Sequence, residues 1–212
     1  MPFITFEGGE GGGKSTQLAF LADALAKAGI DHLTTREPGG SAGAEEIRAL
    51  IVNGEPNRWD AVTETLLLMA ARHHHVRQVI EPALGAGKWV LCDRFFDSTR
   101  VYQGIGKGVD AQWLESLYHM LFANLSPSLT LYFDIDPAEG LQRAAARRGT
   151  EHRFESMPLA FHQSIREGFL HLAKKEPARI QVIDASGPIA EVHERVLQVI
   201  DASPLSLGRG LG

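Results

Sequence analysis

Gly8-Gly9-Glu10-Gly11-Gly12-Gly13-Lys14-Ser15 stands directly after an apolar run at residues 3–6 and directly before a helical pattern. Gly, four residues, Gly, Lys and a hydroxyl residue, with a strand before and a helix after, is the phosphate-binding P-loop in the context the motif requires. Glycines let the backbone curl so that successive N–H groups point inward at phosphate oxygens. The positive end of the following helix adds to that field, and Thr16 continues it. Lys14 reaches toward β- and γ-phosphates, and the Ser15 hydroxyl is placed to ligate Mg²⁺. A Gly-rich turn with a stray lysine is the bland alternative, and the strand-to-helix context argues against it.

The rest of the chain must then be explained by what the bound phosphate is used for. With 212 residues and 44% hydrophobic content, the chain can bury a sizeable core, and a single domain over 1–202 is expected. Net charge is −5 without a long basic run, so neither nucleic acid nor a membrane surface is the expected partner. The lone Cys92 sits inside an apolar run and reads as a core residue, which suits a reducing cytoplasm. No apolar segment approaches the roughly 18 residues of a membrane span, and no secretory leader is expected before the first strand.

Helical spacing places Leu18, Leu21, Ala22 and Leu25 on one face, with Gly29 as a C-cap. A strand at 31–35 ends in Thr35-Arg36-Glu37-Pro38-Gly39-Gly40, a loop signal carrying charges at a strand's carboxyl end. Ile47, Leu50 and Ile51 define a helix closed by Asn53-Gly54. A longer helix over 61–86 shows Leu66, Met69, Ala70, Val76, Ile80 and Leu84 on one side, bent or shortened by Pro82. Runs at 88–93 and 129–134 suit strands buried on both faces of a parallel sheet. Asp110 caps a helix carrying Leu114, Leu117, Tyr118 and Leu121, and Asp136-Pro137 with Glu139 starts another. That helix leads into the basic segment 143–153. A helix at 158–175, a strand at 180–184 and a helix at 189–200 complete the pattern, and 203–212 read as a flexible tail. Five strands alternating with helices predict an α/β fold around a parallel sheet.

Ligands of such sheets bind at the carboxyl ends of the strands. The ends here carry the P-loop, Arg36-Glu37 and Asp93-Arg94, with Arg48 and Arg72 on helices starting near the same edge. Each arginine alone reads as a solvated side chain, but jointly they offer planar forks suited to a second anion. Asp93, after an apolar strand, is placed to hold Mg²⁺ directly or through water; otherwise it is a strand-end turn residue. His73-His74-His75 cannot converge on one metal, because consecutive helical residues point about 100° apart, and all three read as helix surface. No Asn-Lys-x-Asp guanine-reading element is present, which argues against a GTPase switch. A small P-loop domain with an arginine-rich pocket suggests a kinase with a phosphorylated acceptor. A regulatory P-loop ATPase is the reading from another class, and it would have no use for Arg48, Arg72 and Arg94.

At these residues the chain resembles the bacterial thymidylate kinases, from Phe3 to about Ile200. The matching pieces are Phe6-Glu7-Gly8, Thr35 to Gly40, Ala70-Ala71-Arg72, Asp93-Arg94 followed by Ser98-Thr99, and Tyr102-Gln103-Gly104. The resemblance implies the P-loop nucleoside-monophosphate kinase fold, a cytoplasmic homodimer, and phosphorylation of dTMP by ATP with Mg²⁺. It implies that Gly8 to Thr16 hold ATP and that Glu10 accepts from the 3′-hydroxyl of dTMP. Arg48 and Arg94 would grip the acceptor phosphate, with Arg36 close to the reacting groups. Arg72, Ser98, Thr99 and Gln103 would meet the acceptor, and Tyr102 would crowd the 2′ position. An arginine-rich lid over about 143–155 would bring Arg153 to the transferring phosphoryl group, with Arg147 or Arg148 assisting. Where the family often has a phenylalanine stacking on thymine, Leu68 offers apolar contact instead. His152 replaces the usual acid before Arg153, and the lid is one residue longer.

Overall fold

The computed structural model describes residues 1–55, 58–123, 125–146 and 154–205. Strands β1 (Phe3–Glu7), β2 (His32–Arg36), β3 (Trp89–Asp93), β4 (Leu129–Asp134) and β5 (Ile180–Asp184) form one parallel sheet in the order β2-β3-β1-β4-β5. The chain leaves β1 toward β2 on one side and later places β4 on the other. β1 is therefore where the winding changes direction, the place where such sheets open a crevice. The P-loop leaves the sheet at that point.

Central strands read as unbroken apolar runs because helices cover both faces. On one face Phe6 stacks on Phe133 at 5.9 Å, against Leu21 and Leu25 of α1 (Lys14–Lys27) and Val196 of α9 (Ile189–Ala202). On the other, Phe3, Val90 and Cys92 meet Met69 of α3 (Ala61–His75) and Tyr118 of α6 (Ala111–Phe122). Each fully buried large apolar side chain here contributes about 1.5–3 kcal/mol. Short helices α2 (Ala42–Val52), α4 (Glu81–Gly85) and α5 (Phe96–Thr99) connect these layers, followed by α7 (Pro137–Ala145) and α8 (Leu159–Lys175).

Predicted starts hold at the caps. Asp110 Oδ1 accepts from Trp113 N at 2.7 Å, and Asp136 Oδ1 accepts from Ala138 N at 2.9 Å. The long helix expected over 61–86 is instead α3 and α4 joined by a wide i→i+5 turn at Val76–Ile80, with Pro82 in the first turn of α4. Leu66 is 48% exposed and Ala70 is exposed, so neither belongs to the core face expected for them. A second wide turn, Arg100–Ile105, follows α5, and no 3.6-residue pattern announces it. Of the segment 203–212 expected as a tail, the first three residues are described. Ser203 Oγ donates to Ile200 O at 2.7 Å and Leu205 packs on the core; 206–212 lie outside the described residues.

No helix among the described residues is long and apolar enough to cross a membrane.

Candidate active site

The P-loop is held from below by α7. Gly11 has φ +70°, and a Cβ there would lie 1.9 Å from Gly140 O, so only glycine permits this approach. Lys14 Nζ donates to Gly9 O at 2.6 Å, folding its chain back over the loop. Burial, and then Arg94 nearby, bring the Lys14 ammonium down to about 8. Ser15 Oγ donates to Asp93 Oδ2 at 2.5 Å, placing a hydroxyl and a carboxylate side by side at the start of α1.

Arg94 follows β3 in the left-handed region, φ 68°, a conformation that costs an arginine about 1–3 kcal/mol. The bend turns its guanidinium back onto the P-loop. There it donates to Gly8 O at 2.9 Å, Glu10 Oε1 at 2.8 Å and Ser98 Oγ at 3.1 Å, and lies 5.1 Å from the Tyr102 ring centre. The segment after β3 is pinned by Glu7 at the end of β1, which is fully buried. Its carboxylate accepts from Phe95 N at 2.8 Å, Ser98 N at 3.2 Å and Ser98 Oγ at 2.5 Å. Burial, with Asp97 close by, raises Glu7 to about 7. Burial alone would raise Glu10 too, but Arg94 and Lys14 outweigh it and hold that carboxyl below its ordinary range.

One cleft opens between the P-loop, α2, α3 and the loop after β3. Glu10, Arg48, Leu68, Arg72, Arg94, Ser98, Thr99, Tyr102 and Gln103 all line it, together with Glu37, Ile51, Val52, Phe95 and Phe154. Arg48 donates to Pro38 O at 2.5 Å. Arg72 is 2% exposed and fixed on both sides: Nε donates to Glu37 Oε2 at 2.6 Å and an Nη to Thr99 Oγ1 at 3.1 Å. Gln103 Nε2 donates to Glu64 Oε1 at 2.9 Å, which leaves its own Oε1 as an acceptor. Leu68 adds an aliphatic wall, without a ring.

Arg36 stands apart. Its side chain is 56% exposed and pairs with Glu45 at 3.1 Å, outside the set lining the cleft. Arg147, Arg148 and Arg153 lie outside the described residues. The reading of His73, His74 and His75 as helix surface is corrected for the third. His75 is fully buried, with Nδ1 3.0 Å from Glu37 Oε1 and Nε2 2.7 Å from Thr35 Oγ1. The rings do diverge, since His74 meets Ser41 Oγ at 2.8 Å and His73 faces Phe122. Glu37 is thereby shared by His75 and Arg72, a link no local pattern reveals because its members come from β2, α3 and the intervening loop.

Comparison with known proteins gives the family. The thymidylate kinase family profile matches residues 6–196. A thymidylate kinase of Magnetococcus marinus is 49% identical over 199 residues, covering 94% of this chain and 95% of that protein. One of Caulobacter vibrioides is 52% identical over 198 residues, covering 93% and 95%. The crystal structure of thymidylate kinase from Ehrlichia chaffeensis superposes with a TM-score of 0.77 at 33% identity, covering 94% of this chain and 98% of that one. A P-loop sharing a cleft with three arginines, in a sequence matched almost end to end, leaves one conclusion: the chain belongs to the thymidylate kinase family.

Proposed function

We propose that the cleft beside the P-loop is the acceptor site of this dTMP kinase and that Gly8 to Thr16 hold the donor ATP. The activity is ATP-dependent phosphorylation of a nucleoside monophosphate, dTMP. The observation carrying the residue-level reading is that Glu10, inside the P-loop, lines the same cleft as Arg48, Arg72 and Arg94. One loop thus touches donor and acceptor at once. The acceptor phosphate lies with Arg94 and Arg48, and the base lies toward Arg72 and Gln103. Arg72 N–H groups suit the thymine O4 acceptor, and Gln103 Oε1 suits the N3–H donor. Tyr102, 5% exposed beneath Arg94, closes the sugar side.

In-line transfer of the γ-phosphoryl group needs no general base, since the attacking phosphate oxygen is already anionic. Catalysis is positioning and charge neutralisation. The donor set of Ser15 Oγ and Asp93 carboxylate fits Mg²⁺, a hard cation that prefers such oxygens. When bound there, that ion supplies neutralisation of the β- and γ-phosphate oxygens. Lys14 supplies the fixed ammonium beside them, and Arg94 orients the acceptor.

Glu10→Ala tests the assignment. The variant should raise KM for dTMP by about tenfold and leave KM for the 3′-deoxy analogue much less affected, because only dTMP offers a hydroxyl to a charged acceptor. Equal losses on both acceptors would show that Glu10 does not read the 3′ position.

The assembly we propose is a cytoplasmic homodimer through α3 and α6. Val62 and Leu66 on α3 are each 48% exposed, and on α6 Trp113 is 37% and Met120 79% exposed, an apolar face that a second copy would cover. Sedimentation at micromolar concentration should give twice the 23.1 kDa chain mass, and Leu66→Glu with Met120→Glu should give the monomer. A wild-type monomer would contradict this.

A further inference from the structure

His162, on α8, is a buried polar group that the roles above leave unused. It is 4% exposed, and its Nε2 has no hydrogen-bond partner among the described residues, while the Met157 backbone engages the ring. The ring lines a small cavity with Gly9 and Glu10 of the P-loop, Tyr132 of β4, Leu141 of α7 and Arg166 of its own helix. A buried nitrogen left unpaired costs stability that an apolar side chain in its place would not.

The charges around it among the described residues are few. Arg166 is engaged by Asp134 through two bonds of 2.7 and 2.9 Å, and Tyr132 also donates to Asp134. The α7 wall contributes Pro137 and Leu141, both apolar. Among the described residues, the charges acting on the imidazole are those of Glu10, from the P-loop, and of Glu155, from the segment before α8. In this structure Arg94 neutralises Glu10 at 2.8 Å. An acceptor phosphate that engages Arg94 weakens that pair and leaves a mostly buried carboxylate short of its counter-charge.

We propose that His162 is a positioning residue for Glu10, receiving its carboxylate when the acceptor phosphate draws Arg94 away. The proposal rests on the acceptor-site reading given above. Burial first of all keeps the imidazole below its ordinary range in the free protein, with Glu10 and Glu155 opposing that. Once Arg94 turns to the phosphate, the Glu10 field on His162 grows and the protonated ring is favoured. The imidazole then takes a proton from the buffer and donates Nε2–H to Glu10. Acceptor binding is thus coupled to proton uptake, and α8, which follows the lid segment, is tied to the acceptor sugar.

Calorimetric titration of dTMP into the full chain, in two neutral buffers of different ionisation enthalpy, reads the protons taken up. The phosphate's own titration is common to all variants, so the difference between them isolates His162. Wild type should take up more protons than His162→Phe or His162→Gln. His162→Phe should weaken dTMP binding by about tenfold, leave KM for ATP unchanged, and melt no lower than wild type because the unpaired nitrogen is gone. His162→Gln, which keeps a neutral donor, should regain part of the affinity and none of the proton uptake. Equal proton counts in all three proteins, with dTMP bound, would overturn the proposal. So would a His162→Phe protein that melts lower and loses ATP and dTMP affinity alike, the signature of a structural role. Absence of dTMP binding to wild type is a distinct result that would overturn the acceptor-site reading and the proposal with it.

Discussion

Arg94→Ala should lower kcat with dTMP by at least about 10³-fold, the scale on which arginines contribute to phosphoryl transfer. Arg94 stands between the two phosphate sites, bonded to Gly8 O of the donor loop and to Glu10 and Ser98 at the cleft. Its left-handed backbone is what turns the guanidinium there, and alanine at φ 68° would keep that strain without the cation. The substitution also leaves Glu10 with no cationic partner within hydrogen-bonding reach among the described residues, which puts the carboxylate toward an incoming anion. Arg94→Lys should fall between the two, restoring charge without the fork that matches phosphate oxygens. Steady-state kinetics with ATP titration check this, since ATP binding should survive in both variants. A kcat within tenfold of wild type for Arg94→Ala would remove Arg94 from the reaction.

The fold was largely legible because buried parallel strands leave a simple signature. Residues 88–93 and 129–134 are continuous apolar runs, and the strands found there are Trp89–Asp93 and Leu129–Asp134. Caps at Asp110 and Asp136 fixed helix starts through side-chain oxygens that bond the first free N–H groups. Legibility failed where geometry departs from 3.6 residues per turn. The wide turn at Val76–Ile80 shifts the helix face between α3 and α4, so one stripe drawn over 61–86 puts Leu66 and Ala70 inward, whereas both are exposed; the turn at Arg100–Ile105 has no sequence pattern of its own.

At the site, sequence motifs name residues that approach phosphates but not those that orient them. Arg72 is conspicuous in Ala70-Ala71-Arg72, whereas its partner Glu37 and the histidine behind it are joined only through space. His75 looked like one of three surface histidines, and a run of three identical residues gives no hint which one points inward. Glu7 sits in the Phe6-Glu7-Gly8 match with no role attached to it, and His162 lies in none of the matching pieces. Their importance comes from burial, which makes each polar atom count.

We propose that Arg72 and Gln103 read thymine in the cleft beside the P-loop. Arg72 is locked by Glu37 and Thr99 and presents donors, while Gln103, held by Glu64 through its amide nitrogen, presents an acceptor. Cytosine reverses both groups, setting its amino group against arginine N–H and its N3 lone pair against the glutamine oxygen. Buried polar groups left unpaired or opposed are where discrimination becomes large, on the order of 10⁴-fold in well-formed sites. The direct measurement is kcat/KM by a coupled ADP assay with Mg²⁺ and ATP across dTMP, dCMP, dGMP and dAMP. We expect dTMP to exceed each of the others by at least about 10³-fold, and Arg72→Ala to shrink the dTMP-over-dCMP ratio toward about tenfold. A wild-type preference for dCMP, or a ratio unchanged by Arg72→Ala, would contradict the claim.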